Sequence, residues 1–256
     1  LSGAPKLAIV TGGTKRLGAA IAARLAGAGY DLALHSHSRS DPEPALSAAI
    51  AAAGVRARVF PADLAAPADV ESLIPAVTAH FGRAPTCLVN SASRFGDDRW
   101  ADVRLSALID YFTINAATPA ILAQALAAGL PEGARGVVVN ILDQRIVSPP
   151  DDQAAYTAAK LALAGITQAQ ARAFAPRVRV CGVAPGLTLP TADYDDAQME
   201  RLAALMPLGV LPTAEQIADA VFYLVGAEAT TGQVLFVDGG ASLASFERDF
   251  VHLMVG

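Results

Sequence analysis

Short apolar runs and helical stretches take turns along most of this chain. KLAIV (6–10) is a run of apolar residues short enough for a strand, and RLGAAIAARLAGAG (16–29) repeats Ala and Leu at helical spacing before a closing glycine. YDLALH (30–35) is the next strand, followed by an Ala-rich helix over 44–53, a strand VRARVF (55–60), a helix over 68–81 and the strand TCLVN (86–90). A long helix over 106–128 leads to GVVVNIL (136–142), and another over 153–173 leads to VRVCGVAP (178–185). A helix over 214–225 and the strand QVLFVDG (233–239) complete the series. Apolar strands joined by helices of this length need right-handed crossovers, which build a parallel sheet covered on both faces. The expected fold is therefore α/β and doubly wound, in one domain over 1–256 with its core at about 6–240 and a C-terminal extension at 241–256. The stretches 148–152 and 188–196, rich in Pro and Asp, read as site loops.

Composition narrows the partners. With 53% hydrophobic and 17% charged residues the chain is globular, and a net charge of −5 without a Lys/Arg run gives no footprint for nucleic acid or an anionic membrane. A small-molecule partner is expected. No run of 18 consecutive apolar residues and no basic-then-apolar leader appear, so a cytoplasmic protein is the expectation. Cys87 and Cys181 lie beside strand-like stretches without CxxC or His spacing and read as buried thiols, and no metal site is expected.

Ligands of doubly wound sheets bind at the carboxyl ends of the strands, and the first such turn reads TGGTKRLG (11–18). Gly12 and Gly13 allow backbone to approach a ligand, while Thr14, Lys15, Arg16, Leu17 and Gly18 lead into a helix whose free N–H groups suit a pyrophosphate. The end of the second strand lacks the acid that would hold a ribose 2′-hydroxyl. LHSHSRS places His35, His37, Ser38 and Arg39 there, within reach of Arg16. Guanidinium forks and hydroxyls suit a 2′-phosphate, which makes NADPH the expected cofactor. Tyr156 and Lys160 stand four apart in AAYTAAK, on one face of a helix. A phenol of pKa ~10 exchanges protons poorly near neutrality unless a nearby cation favours its ionised form, and Lys160 is that cation.

These features together resemble the short-chain dehydrogenase/reductase family: the glycine turn, Asp63 and Leu64, the NSAS of Asn90, Ser91, Ala92 and Ser93, the YxxxK pair, and Pro185 with Gly186. The resemblance spans about 7–240, with Arg16 in place of the family's middle glycine and NSAS in place of NNAG. It implies that these residues and Thr188 contact the cofactor, that Lys160 bonds the nicotinamide ribose, that Tyr156 passes the proton, and that Asn115 supports the lysine through a water. The family's serine thirteen residues before the tyrosine is Asp143 here. Asp143 with Phe95 in NSASRF and the HSH ending of the second strand is similar to the pteridine reductase branch, which includes dihydromonapterin reductase. In that branch a phenylalanine matching Phe95 stacks a pterin against the nicotinamide, and the aspartate helps the tyrosine protonate it.

Alternatives remain at several positions. Trp100, after Asp97, Asp98 and Arg99, either lines the pocket mouth or covers a helix. Asp193, Asp195 and Asp196 read as a solvated face beside the family's substrate lid. A carboxylate ~4 Å from the Tyr156 hydroxyl disfavours phenolate by up to ~4 kcal/mol, opposing Lys160, so Asp143 serves either a basic ring nitrogen or turns away to cap at Gln144 or pair with Arg145. Reduction of a dihydropterin, dihydromonapterin, biopterin or dihydrofolate is the leading expectation. The runners-up are a 3-oxoacyl or other carbonyl reductase, and a nucleotide sensor without chemistry, which the intact Tyr156 and Lys160 disfavour. Ala-rich helices over 106–128 and 153–173, with family precedent, predict a homotetramer. Phe246, Phe250 and Leu253 predict a tail that packs on a neighbouring subunit.

Overall fold

The computed structural model describes residues 6–38, 41–189, 195–244, 246, 248–250 and 253. Seven parallel strands form one sheet, β1 (Leu7–Thr11), β2 (Asp31–Ser36), β3 (Ala57–Pro61), β4 (Cys87–Asn90), β5 (Gly136–Ile141), β6 (Val178–Pro185) and β7 (Val234–Val237). Their spatial order is β3-β2-β1-β4-β5-β6-β7, so successive connections run one way from β1 and the other way from β4. That reversal opens a crevice beyond the carboxyl ends of β1 and β4.

Alternate residues of each strand feed opposite cores. Val10, Leu34, Val89, Val139 and Val183 meet helices α1 (Arg16–Gly27), α2 (Pro44–Ala53) and α8 (Ala214–Gly226), through Ile21, Leu25, Leu46, Ile217 and Val221. Ile9, Leu88, Val138 and Val180 point the other way, onto α3 (Pro67–Phe81), α5 (Thr118–Gly129) and α6 (Ala154–Ala173). Burial on both faces is why the strands read as unbroken apolar runs. The two thiols are free and buried, and burial pushes Cys87 up to about 12.

Two elements differ from the expectation. The helix expected over 106–128 is α4 (Leu105–Phe112) and α5 joined by a π turn at Thr113–Ala117. Pro119 has no N–H to give the carbonyl four residues earlier, and the ladder widens at that point. The run Leu105–Gly129 is long and apolar enough to cross a membrane by length and composition, yet Leu122, Ala123 and Leu126 pack on the sheet. The stretch expected as a loop up to residue 196 gives way to α7 (Asp196–Leu205), whose start Asp195 caps by accepting from the Gln198 N–H at 2.6 Å. Asp193 lies outside the described residues.

Phe246, Phe250 and Leu253, expected to face a neighbouring subunit, pack with Leu202 of α7 and with Met206 just beyond it on the same chain.

Candidate active site

The crevice is a cleft of about 1120 Å³ lined from the first turn, the β2 end, the β4 and β5 loops, α6 and the segment after β6. In the first turn Gly12 has φ +62, and a Cβ there would lie 3.1 Å from the Ala92 backbone. A Cβ on Gly18 would sit 2.1 Å from the Gly12 carbonyl oxygen, so only glycine lets α1 start this close to the turn. Arg16, where the family pattern has glycine, takes φ 54 in the left-handed region. That conformation costs a non-glycine residue about 1–2 kcal/mol. Two hydrogen bonds hold it: the Arg16 N–H donates to Glu43 Oε1 at 2.8 Å, and the Glu43 N–H donates to the Thr14 carbonyl at 2.9 Å. Lys15 precedes α1 without a side-chain cap and the first turn carries no acid, so the helix presents its N–H end to the cleft.

His35 is buried beneath this turn. Its Nδ1 accepts from the Gly12 N–H at 3.1 Å and its Nε2 is 3.0 Å from the Ala62 carbonyl, which fixes a neutral ring protonated on Nε2. Burial holds the imidazole below its ordinary pKa. His37, Ser38, Asp63 and Leu64 line the same end of the cleft, with His37 Nδ1 3.7 Å from Asp63 Oδ1. Arg39 lies outside the described residues. Pro185, Gly186 and Thr188 line the cleft beyond β6, where Thr188 donates to the Gly186 carbonyl at 2.9 Å.

Beyond β4, Ser91, Ala92, Ser93 and Phe95 line the cleft, but Asn90 does not. Its side chain points inward and donates to Asn140 Oδ1 at 2.8 Å, because β4 is central and alternation turns this position into the interior. The Asn90 side chain, expected at the cofactor, is held in the interior. The Asn115 side chain is engaged by the loop after β4. Its Oδ1 accepts from the Arg94 N–H at 2.9 Å and the Ser93 hydroxyl at 3.2 Å, and its Nδ2 donates to the Arg94 carbonyl at 2.6 Å. The π turn therefore aims this amide at the loop carrying Phe95. Trp100 is exposed and outside the cleft lining.

Tyr156 and Lys160 come to the cleft on one face of α6, at 9% and 2% exposure. Lys160 Nζ donates to the Ile141 carbonyl at 2.7 Å, and burial brings its pKa down to about 8. The Tyr156 hydroxyl donates to Asp143 Oδ2 at 2.9 Å. Burial first, and Asp143 second, raise the phenol well above its ordinary value, while Arg145 acts in the opposite direction. Asp143 engages the phenol and Arg145 at once. While Oδ2 meets Tyr156, Oδ1 accepts from the Arg145 N–H at 3.0 Å and lies 3.1 Å from Arg145 Nε. Phe95, 58% exposed, stands edge-on to Tyr156 with ring centroids 6.2 Å apart.

Sequence reasoning missed Glu43 and Asp249, and weighed Arg145 only as a rival partner for Asp143. The Arg145 Nη2 to Asp249 Oδ2 pair, 2.6 Å across a separation of 104 residues, leaves no local pattern to read.

A glycine-lined crevice at the sheet reversal, with a tyrosine and lysine one helical turn apart, defines the class as a dinucleotide-dependent oxidoreductase. The profile of the family described as enoyl-(acyl carrier protein) reductase matches residues 13–242. The chain belongs to the short-chain dehydrogenase/reductase family. It is similar to the solved FolM alternative dihydrofolate reductase 1 from Brucella canis complexed with NADP, at 35% identity over 93% of this chain and 95% of that one, TM-score 0.84. Pteridine reductase 1 of Leishmania tarentolae is 30% identical over 93% of this chain and 96% of that protein. The 3-oxoacyl-[acyl-carrier-protein] reductase FabG of Pseudomonas aeruginosa is 32% identical over 92% and 96%.

Proposed function

We propose that this protein is an NADPH-dependent reductase whose substrate is a pterin-type ring of the dihydropterin, dihydromonapterin, biopterin or dihydrofolate class. The observation that carries the reading is the Tyr156 hydroxyl bonded to the Asp143 carboxylate at 2.9 Å, where the family pattern has serine. The NADP-bound Brucella relative and the Leishmania pteridine reductase support it.

The cleft fits the cofactor. Gly12 and Gly18 leave a cradle that a Cβ would fill, and α1 offers uncapped N–H groups to a pyrophosphate. Thr14, Lys15, Arg16, His37 and Ser38 surround the place for a 2′-phosphate, while Ser91, Ala92, Lys160, Pro185, Gly186 and Thr188 serve the nicotinamide half. Bound NADPH supplies the hydride. Phe95 offers an open aromatic face to a flat ring, and Ser93 flanks Tyr156. The raised phenol keeps its proton until a basic atom takes it. A ring nitrogen that gains electron density as its neighbouring carbon accepts hydride is such an atom, so the one phenol proton, which rests on Asp143, turns to that nitrogen while Asp143 keeps the phenol oxygen in place. Lys160 keeps a positive charge beside the phenol as its proton leaves.

Carbonyl reduction is the second reading, favoured by the Pseudomonas 3-oxoacyl reductase. Asp143 weighs against it, since a developing alkoxide asks for one donor, a task for a neutral hydroxyl. Following NADPH oxidation with dihydrobiopterin, dihydrofolate and a panel of ketones including a 3-oxoacyl thioester separates the two. Faster turnover of a dihydropterin is expected, whereas turnover of ketones alone would reverse the order. We also propose a homotetramer, because α4, α5 and α6 leave Leu105, Ile109, Phe112, Ile121 and Leu161 exposed along one helical layer. Light scattering showing a concentration-independent monomer would refute it.

A further inference from the structure

A buried cation stands behind the proton donor, in a place the chemistry above does not require. Arg145 lies in the short turn at Gln144–Ile146 and is 5% exposed. Its Cζ sits 4.7 Å from the centre of the Tyr156 ring, and Nη1 donates to Thr157 Oγ1, on the helix that carries Tyr156, at 3.2 Å. One carboxylate, Asp143, pairs with it at 3.1 Å from the phenol side, and a second, Asp249, pairs at 2.6 Å from the C-terminal extension. Asp249 is itself fixed, since its N–H donates to both oxygens of the fully buried Asp152 at 2.9 Å. A guanidinium taken out of water is costly unless paired; Arg145 is hydrogen-bonded to Asp249 and Thr157 and ion-paired with Asp143, so it couples the positions of the two carboxylates.

We propose that Asp249 is a positioning residue for the reduction: through Arg145 it fixes the Asp143 carboxylate against the Tyr156 hydroxyl and offsets the Arg145 charge beside the phenol. This rests on the reading of Tyr156 as proton donor. The charged groups facing Tyr156 are Asp143 and Arg145 from the segment after β5 and Lys160 from α6, with Asp249 behind Arg145. Asp152 lies behind Asp249, and Asp98 accepts from the Ala155 N–H beside Tyr156. Removing the charge of Asp249 makes the surroundings more positive, which favours loss of protons from Tyr156 and Lys160. Removing the charge of Arg145 makes them more negative and does the opposite. A segment that merely packs has no reason to produce opposite signs.

The test uses the full chain as Asp249→Asn, Asp249→Glu, Arg145→Gln and Arg145→Lys, assayed on whichever dihydropterin or keto substrate the unmodified protein turns over. Failure on every pterin counts against the proposed substrate, while the keto substrate still reads the positioning role. Asp249→Asn is expected to lower kcat about tenfold with the KM for NADPH within about twofold, and Asp249→Glu to restore most of the loss. The alkaline limb of the kcat profile is expected to move to lower pH in Asp249→Asn and to higher pH in Arg145→Gln. If Arg145→Gln does not fold, Arg145→Lys serves, with the limb in place and kcat reduced. Unchanged kcat in Asp249→Asn overturns the proposal, as do limbs that move the same way in the two charge-removing variants, or a loss shared equally by kcat and NADPH binding.

Discussion

Replacing Asp143 with asparagine keeps the shape of the side chain and removes its charge. In the native site one carboxylate accepts from the Tyr156 hydroxyl at 2.9 Å through Oδ2 and pairs with Arg145 at 3.1 Å through Oδ1. An asparagine can present one oxygen, and its amide end faces either the phenol or the guanidinium as a second donor. One charge-assisted hydrogen bond is lost, a contribution of about 1.5–3 kcal/mol. If that bond aligns the phenol only where proton transfer occurs, its loss appears in kcat as about a 10- to 150-fold decrease. The glycine turn, 2′-phosphate donors and Lys160 are untouched, so the NADPH dissociation constant, read from quenching of protein fluorescence, stays within about threefold. Asp143→Ser restores the hydroxyl of the family pattern and shifts relative activity toward ketones. Wild-type kcat with dihydropterin in Asp143→Asn would refute the reasoning, and so would a loss that appears only in NADPH binding.

Three further outcomes follow from the geometry. Arg16→Gly removes a left-handed strain of about 1–2 kcal/mol, so the melting temperature holds or rises, while NADPH binding weakens about tenfold and the gap to NADH narrows; competitive titration of the two cofactors checks this. Because Lys160 is brought down to about 8, turnover is expected to fall as pH rises through that value, and a kcat flat from pH 7 to 9.5 would contradict its role as a cation. His35 has a folded pKa lowered by burial, so its neutral ring contributes stability in full above the unfolded value of ~6.5 and loses it as pH falls through the folded value. Melting temperatures should therefore drop more between pH 7 and 5 in the wild type than in His35→Gln, and parallel curves would count against the buried neutral imidazole.

The strands were legible because parallel strands buried on both faces read as continuous apolar runs, and the glycine turn and Tyr156–Lys160 pair because both are local spacings. What escaped has a common cause in long-range or polar packing. Helix α7 starts in an acid-rich stretch with an apolar side too narrow to register, and its cap, Asp195, reads as one more surface acid. Asn90 belongs to a motif that suggests cofactor contact, yet the alternation of a central strand turns it toward Asn140. The π turn comes from a proline within a helix otherwise well patterned for continuity. Arg16 shows the reverse case: the absent glycine was visible, but its left-handed backbone depends on Glu43, 27 residues away.

The central claim is that hydride passes to a pterin ring while Tyr156 supplies the proton, and isotope transfer tests it most directly. With NADPH carrying deuterium at the transferring carbon and a dihydropterin as acceptor, mass spectrometry of the product should show one deuterium on ring carbon, and Tyr156→Phe should reduce its formation by at least about a hundredfold. An unlabelled pterin recovered unchanged, alongside a 3-oxoacyl substrate that takes up the deuterium under the same conditions, would contradict the account.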